Sequence, residues 1–161
     1  SDASINPNSL WDVELSSDGT HLLMSLFRYS DAICVVKNID NNWVQKGQII
    51  KGNDINSYLQ SASTTSHNIS SNGNRIAIEY YAKDSQESSR GMEIIIFDWS
   101  SLTEEWKKSG SNISAGIGKE LSGQVSMNSN GSYLIMHTED TNSNSNGSKE
   151  GSAMFYFLPE N

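Results

Sequence analysis

One stretch of the chain spaces oxygen donors as a hard cation requires. In Asn142-Ser-Asn144-Ser-Asn146-Gly-Ser-Lys-Glu150, side-chain oxygens fall at loop positions one, three, five and nine, with Gly147 at six and Glu139 and Asp140 just ahead. That is the order in which a calcium loop closes on its ion. Three of the four ligands, Asn142, Asn144 and Asn146, are neutral amides beside a single carboxylate, Glu150, and low ligand charge places such a cage at the weak end of the calcium range. The plainer expectation is a polar Ser/Asn/Gly loop between two strands, with no resident cofactor and calcium as the one candidate ion.

Residues suited to catalysis are present but scattered. His21, His67 and His137 each fall in or beside a strand, with no Cys or carboxylate at ligand spacing in sequence, so they are expected to be ordinary core or surface histidines. The Ser-rich residues 61–71 contain no Gly-x-Ser-x-Gly elbow, and Gly116-Ile-Gly118 lacks the remaining glycine of a dinucleotide loop. The acid pairs Glu104-Glu105 and Glu139-Asp140 are expected to be solvated. Cys34 cannot form an internal disulfide and sits in Ala-Ile-Cys-Val-Val, where it serves as a small buried hydrophobe. Trp11, Trp43, Trp99 and Trp106 are expected to pack, with sugar stacking by Trp, Tyr80 or Tyr81 as the sharper alternative. Four Asn-x-Ser sequons occur, at Asn68, Asn112, Asn130 and Asn146. Asn146 and Asn112 lie in polar regions and are the better glycan acceptors, Asn68 comes next, and Asn130 sits in a tight turn. Nothing here assembles a catalytic constellation, and the chain is expected not to be an enzyme.

The elements that must carry these residues repeat. Leu15-Ser-Ser-Asp-Gly-Thr-His-Leu, Ile69-Ser-Ser-Asn-Gly-Asn-Arg-Ile and Met127-Asn-Ser-Asn-Gly-Ser-Tyr-Leu recur at spacings of 54 and 58 residues, and strand-type repeats of that length stack or radiate. Asp18-Gly19, Asn72-Gly73 and Asn130-Gly131 predict hairpins with primed turns. A third strand is expected over 32–37, 93–99 and 153–158, and a fourth at Trp43-Val-Gln-Lys-Gly47 and Trp106-Lys-Lys-Ser-Gly110, which lie 63 residues apart. Residues 102–107 could form one helical turn. The third copy has no fourth-strand phrase.

The expected fold is therefore all-β: three antiparallel propeller-type blades of about 54–63 residues, the third lacking its fourth strand, in one domain over 1–161 (blade 1 at 11–52, blade 2 at 66–110, blade 3 at 123–158). The unfinished edge, with Ala153, Phe155 and Phe157, is a pairing hazard that another strand or chain must cover.

Bulk composition agrees. Hydrophobic residues are 35%, and Ser and Asn together hold 46 of 161 positions, so much of the chain lies in polar loops. A net charge of −8 with scattered Lys and Arg argues against nucleic-acid and anionic-membrane partners. No run approaches the ~18 apolar residues of a membrane helix, so no membrane insertion is expected. No leader opens the chain and its first residue is Ser, which predicts either a removed leader or a piece of a longer protein.

The Leu15–Leu22 and Ile69–Ile78 phrases, together with Trp43-Val-Gln-Lys-Gly-Gln-Ile-Ile-Lys-Gly52, resemble FG-GAP-type β-propeller repeats. The resemblance implies four-stranded blades whose first strand lines a central channel, and a binding or adhesion role. The family's hairpin calcium site does not carry over. Its ninth position, where a carboxylate is needed, is Leu22, Ile76 or Leu134, which makes Asp18 a turn residue. The functional expectation is a non-catalytic, extracellular, cell-surface or virion-surface module that self-associates or binds a protein. A carbohydrate-binding lectin using the loops between strands two and three, with a glycan partner, is the alternative.

Overall fold

The computed structural model describes residues 10–26, 32–51, 64–83, 90–114, 119–120, 125–140 and 151–159. These form β1 (Leu10–Leu15), β2 (His21–Leu26), β3 (Ala32–Ile39), β4 (Asn42–Gln45), β5 (Thr64–Ile69), β6 (Arg75–Lys83), β7 (Arg90–Ser100), β8 (Glu105–Ser114), β9 (Lys119–Glu120), β10 (Ser126–Met127), β11 (Tyr133–Asp140) and β12 (Gly151–Phe157), with no helix among the described residues. They make three antiparallel sheets, β1-β2-β3-β4, β5-β6-β7-β8 and β10-β11-β12. In the third sheet β9 and β10 both pair with β11, at Glu139↔Glu120 and Met127↔Leu134. The sheet is thus three strands wide, with its first strand in two pieces. The expected helical turn at 102–107 is instead a tight turn at 101–104, with Glu104 at φ 53°, leading into β8.

The repeated phrase builds one turn three times. Ser16, Ser70 and Asn128 each accept the Gly N–H three residues on through their carbonyl, and their side chains accept the backbone N–H of His21, Arg75 and Tyr133. Asp18, Asn72 and Asn130 accept from the backbone of Thr20, Asn74 and Ser132. Each turn is therefore held by its own polar side chains, the Asx chemistry that makes these residues turn formers. The expected primed geometry is wrong here. Within each turn only the glycine has positive φ, at 74°, 63° and 75°, as in a type I turn closed by a left-handed fourth residue. A loop of the primed kind lies elsewhere. Asp40 and Asn41, at φ 50° and 64°, join Ile39 to its partner Asn42.

Alternation along the strands stacks the sheets face to face. Leu23, Ile33, Val35 and Ile50 of the first sheet meet Ile69, Ile76, Ile78, Ile95, Phe97 and Trp106 of the second. The opposite face of the second sheet, with Ala77, Ile94 and Ile96, packs on Val125, Leu134 and Met136 of the third. The middle sheet is covered on both sides, so its strands read as nearly continuous apolar runs. Cys34 is fully buried in β3 and its thiol is pushed up to about 11 by burial, in keeping with a packing role. The outward face of the third sheet remains apolar and open at Tyr133, Ile135, Phe155 and Phe157, whereas on the first sheet Val13 and Leu15 are exposed while Ala32, Cys34 and Val36 of the same face are buried.

Candidate functional site

The first strands of successive sheets lie side by side, β1 against β5 and β5 against β10, so their polar residues share one region. Two strand irregularities sit at the same repeat position there. The β1–β2 ladder slips between Leu10 and Asp12, and the β5–β6 ladder between Thr64 and Ser66. An extra residue of this kind re-aims the side chains beyond it and recurs beside active sites. Past the slip stand Asp12-Val-Glu14 on one strand and Ser66-His-Asn68 on the other.

These residues, with Val125 and Ser126, line a cavity of about 300 Å³. Asn68 Nδ2 donates to Glu14 Oε1 at 2.7 Å, while Asn68 Oδ1 accepts the Met127 N–H and Ser66 Oγ accepts the Val125 N–H. Glu14 Oε2 is buried and has no hydrogen-bond partner. Burial pushes the Glu14 carboxyl up to about 7, opposed by the Ile69 backbone N–H and reinforced by the negative charge of Asp12. His67 is buried, with Nδ1 4.0 Å from Asp12 Oδ2 and Nε2 unpartnered. Burial lowers its pKa against the pull of Asp12, so the ring is neutral near pH 7. A carboxyl that changes protonation near neutrality, held by one oxygen with the other unpartnered, is equipped for proton transfer.

A larger cavity of about 600 Å³ opens between the first two sheets near their turns, lined by His21, Lys37, Lys46, Asn72, Asn74, Trp99 and others. Its chemistry is already committed. Lys46 Nζ donates to the Gly73 carbonyl and Asn74 Oδ1, approaches His21 Nε2 at 3.3 Å, and lies 5.0 Å from the Trp99 ring centroid. Burial, with Lys37 adding, brings Lys46 down to about 8, and burial with the charge of Lys46 takes His21 down to about 4. With Nε2 accepting from the ammonium, His21 Nδ1–H faces Thr20 Oγ1, which donates to Asp18. This chain of bonds ties sheet to sheet rather than presenting free groups to a ligand.

Of the residues singled out from the sequence, Asn142, Asn144, Asn146 and Glu150 lie outside the described residues. Of the three described sequon asparagines, Asn68 and Asn112 have their amide nitrogens engaged: Asn68 Nδ2 on Glu14, and Asn112 Nδ2 on Tyr80 Oη and Glu93 Oε2. A glycan on either nitrogen would break those bonds. Ala153, Phe155 and Phe157 lie exposed on β12. Trp106 is buried, donates from Nε1 to the Lys46 carbonyl and stacks edge-on with Trp99 at 5.4 Å, while Trp43 is exposed. The cluster of Asp12, Glu14 and His67 was missed, because it joins residues more than 50 positions apart. One signal was available. Six residues before each turn glycine stand Val13, His67 and Val125, so an imidazole occupies what is otherwise an apolar packing position.

No family model matches the chain, and no curated protein is similar to it in sequence. Among the solved structures similar in fold are two putative 6-phosphogluconolactonases. The one from Bacteroides uniformis is 16% identical, with a TM-score of 0.53 over 96% of this chain and 42% of that one. The one from Bacteroides fragilis is 13% identical, with a TM-score of 0.49 over 93% and 42%. The chain thus spans about two fifths of the length of these structures. Nothing among them points to FG-GAP repeats, and that resemblance is corrected. Its motif was a self-bonded turn, which any hairpin of this geometry selects. The expectation of a non-catalytic adhesion module is likewise corrected, since the Bacteroides uniformis neighbour in fold carries the name of an enzyme, and the lectin alternative is no better supported.

Proposed function

We propose that this chain carries part of a hydrolase acting on the lactone of a sugar acid, with its three sheets as blades of a propeller and Glu14 as the proton-transfer group at the hub. The observation that carries the proposal is the state of Glu14: Oε1 fixed by Asn68, Oε2 unpartnered, and the carboxyl raised to about 7 at the wall of a cavity. The names of the neighbours in fold supply the substrate class, and the adjoining first strands supply the hub.

The chemistry needs one shuttled proton. Glu14, ionised, takes a proton from water through Oε2 while the water oxygen bonds to the lactone carbonyl carbon. As the tetrahedral intermediate collapses, the ring C–O bond breaks and Glu14 returns the proton to the leaving ring oxygen, giving the open hydroxy acid. Asn68 holds the carboxyl in register, and neutral His67 beside Asp12 walls the cavity without adding positive charge. Two carboxylates and no cation stand among the described residues of the lining, which favours an uncharged lactone over a phosphorylated one.

The test is opening of glucono-δ-lactone and its 6-phosphate, followed by proton release. The expected kcat/KM rises with pH through about 7, and Glu14→Gln lowers it by about a hundredfold or more with the circular dichroism spectrum unchanged. Folded protein that opens neither lactone faster than buffer does, or a Glu14→Gln variant as active as its parent, would overturn the proposal.

A further inference from the structure

The two contacts between sheets are built alike but held by different cations. Two residues after the turn glycine stand His21 on the first sheet and Arg75 on the second, and the following sheet's turn is seated on each. A Cβ at Gly73 would collide with the His21 ring, and one at Gly131 would lie 2.9 Å from Arg75 Cδ. Arg75 reaches the Gly131 carbonyl with its own guanidinium, whose charge is permanent. At the first contact the grip belongs instead to Lys46, which donates to the Gly73 carbonyl and to Asn74 Oδ1 and stands 3.3 Å from His21 Nε2.

The imidazole lets that ammonium sit there. His21 is 4% exposed. Its Nδ1 lies 2.7 Å from Thr20 Oγ1, which donates to Asp18, so the ring proton is on Nδ1 and Nε2 turns a bare lone pair toward Lys46. A second proton must go on Nε2, which sets two cations against each other in a half-enclosed space. Among the described residues the charged groups around the ring are Asp18, joined through Thr20, Lys37 on the paired strand β3, Lys46, and Glu104 on the wall of the same cavity; the second sheet adds Asn72, Asn74 and Trp99 to that wall.

We infer that His21 and Lys46 form an acid-operated latch between the first and second sheets, in which a proton on Nε2 drives the Lys46 ammonium off the Gly73 turn and into the adjoining cavity toward Glu104. The cavity, about 600 Å³, has room for the swing. Lys46 gives up its bonds to Gly73 and Asn74, while the paired bonds between Gln48 and Trp106 and the shared apolar core keep the sheets together. The latch therefore frees the turn end of the interface without parting the sheets. Burial first, then the charge of Lys46, brings His21 from 6.5 down to about 4, so the folded ring binds its proton less tightly than the unfolded one. The grip is complete above about 6.5 and is lost as pH falls through about 4. The second contact, held by Arg75, has no such dependence. The inference does not rest on the hydrolase reading.

Hydrogen exchange of the full chain at pH 5.5 and pH 3.5, on either side of the pI near 4.7, compares the two turns within one molecule. After correction for intrinsic rates, protection over residues 70–75 is expected to fall about tenfold or more at the lower pH, while protection over residues 128–133, seated on Arg75, holds. His21→Gln, which keeps an acceptor for Lys46 and takes no proton, is expected to hold both turns at both pH values. Imidazole NMR supplies the second reading. Wild-type His21 is expected to be neutral at pH 5.5, and Lys46→Met to raise its midpoint by about one unit, which leaves the ring partly protonated there. Equal loss of protection at the two turns, an acid-sensitive Gly73 turn in His21→Gln, or a His21 ring equally neutral in Lys46→Met overturns the inference.

Discussion

Glu14→Gln keeps the shape of the side chain and its bond to Asn68 while removing the charge. In the unfolded chain Glu14 titrates near 4.5, in the fold near 7. Across that window the folded state binds the proton more tightly, so stability is greatest at low pH and falls as pH rises toward 7. The full gap corresponds to about 3 kcal/mol at ~1.36 kcal/mol per pH unit. Glu14 is only half-buried, and solvent screening reduces this to about 1–2 kcal/mol. Urea unfolding at pH 5.5 and 8.5, above the pI near 4.7 where the chain loses its net charge, covers most of the window. Wild-type stability is expected to drop by about 1 kcal/mol relative to Glu14→Gln between the two conditions. His67 faces the same cavity and is common to both proteins, so its titration cancels to first order. Parallel stability curves would refute the reasoning, because a carboxyl that ionises without cost is not desolvated as its position requires.

Two further outcomes concern the contacts between sheets. Gly19→Ala adds only the strain of a left-handed alanine, about 1 kcal/mol, whereas Gly73→Ala adds the same strain plus a collision with the His21 ring. Thermal unfolding should therefore lower Tm at least twice as far for the second. Arg75 grips Asp98 through two nitrogens at 2.6 and 2.9 Å and the Gly131 carbonyl through a third, so Arg75→Met, which removes all three bonds, is expected to cost about 2–3 kcal/mol in urea unfolding.

Architecture was more legible in the sequence than chemistry, and the reason is range. Turn residues bond to their own backbone within five positions, so Ser16, Asp18 and Gly19 announce a hairpin wherever they occur. Their type was misjudged because Asp-Gly serves both primed turns and type I turns closed by glycine, and only the backbone distinguishes them. The apolar runs of β3 and β7 likewise declared strands, but not that both faces of each would be buried. Proton-transfer chemistry depends on which strands adjoin. Nothing near Glu14 in sequence states that His67 and Asn68 will stand beside it, nor that burial will raise its carboxyl. The family likeness misled for the same reason the hairpins succeeded, since the shared motif encodes a turn and carries no information about what lines the cavity.

Among the described strands every pairing but that of β9 with β11 joins neighbours in sequence, while the sheets touch one another chiefly through side chains and a few polar bonds. Covalent continuity between sheets is then separable from their adhesion. A peptide bond cut between residues 51 and 64 severs no described ladder, so the first sheet, joined to the remaining two only by side-chain packing and a few polar bonds such as Asn68 to Glu14, is held by the same forces as a separate partner would be.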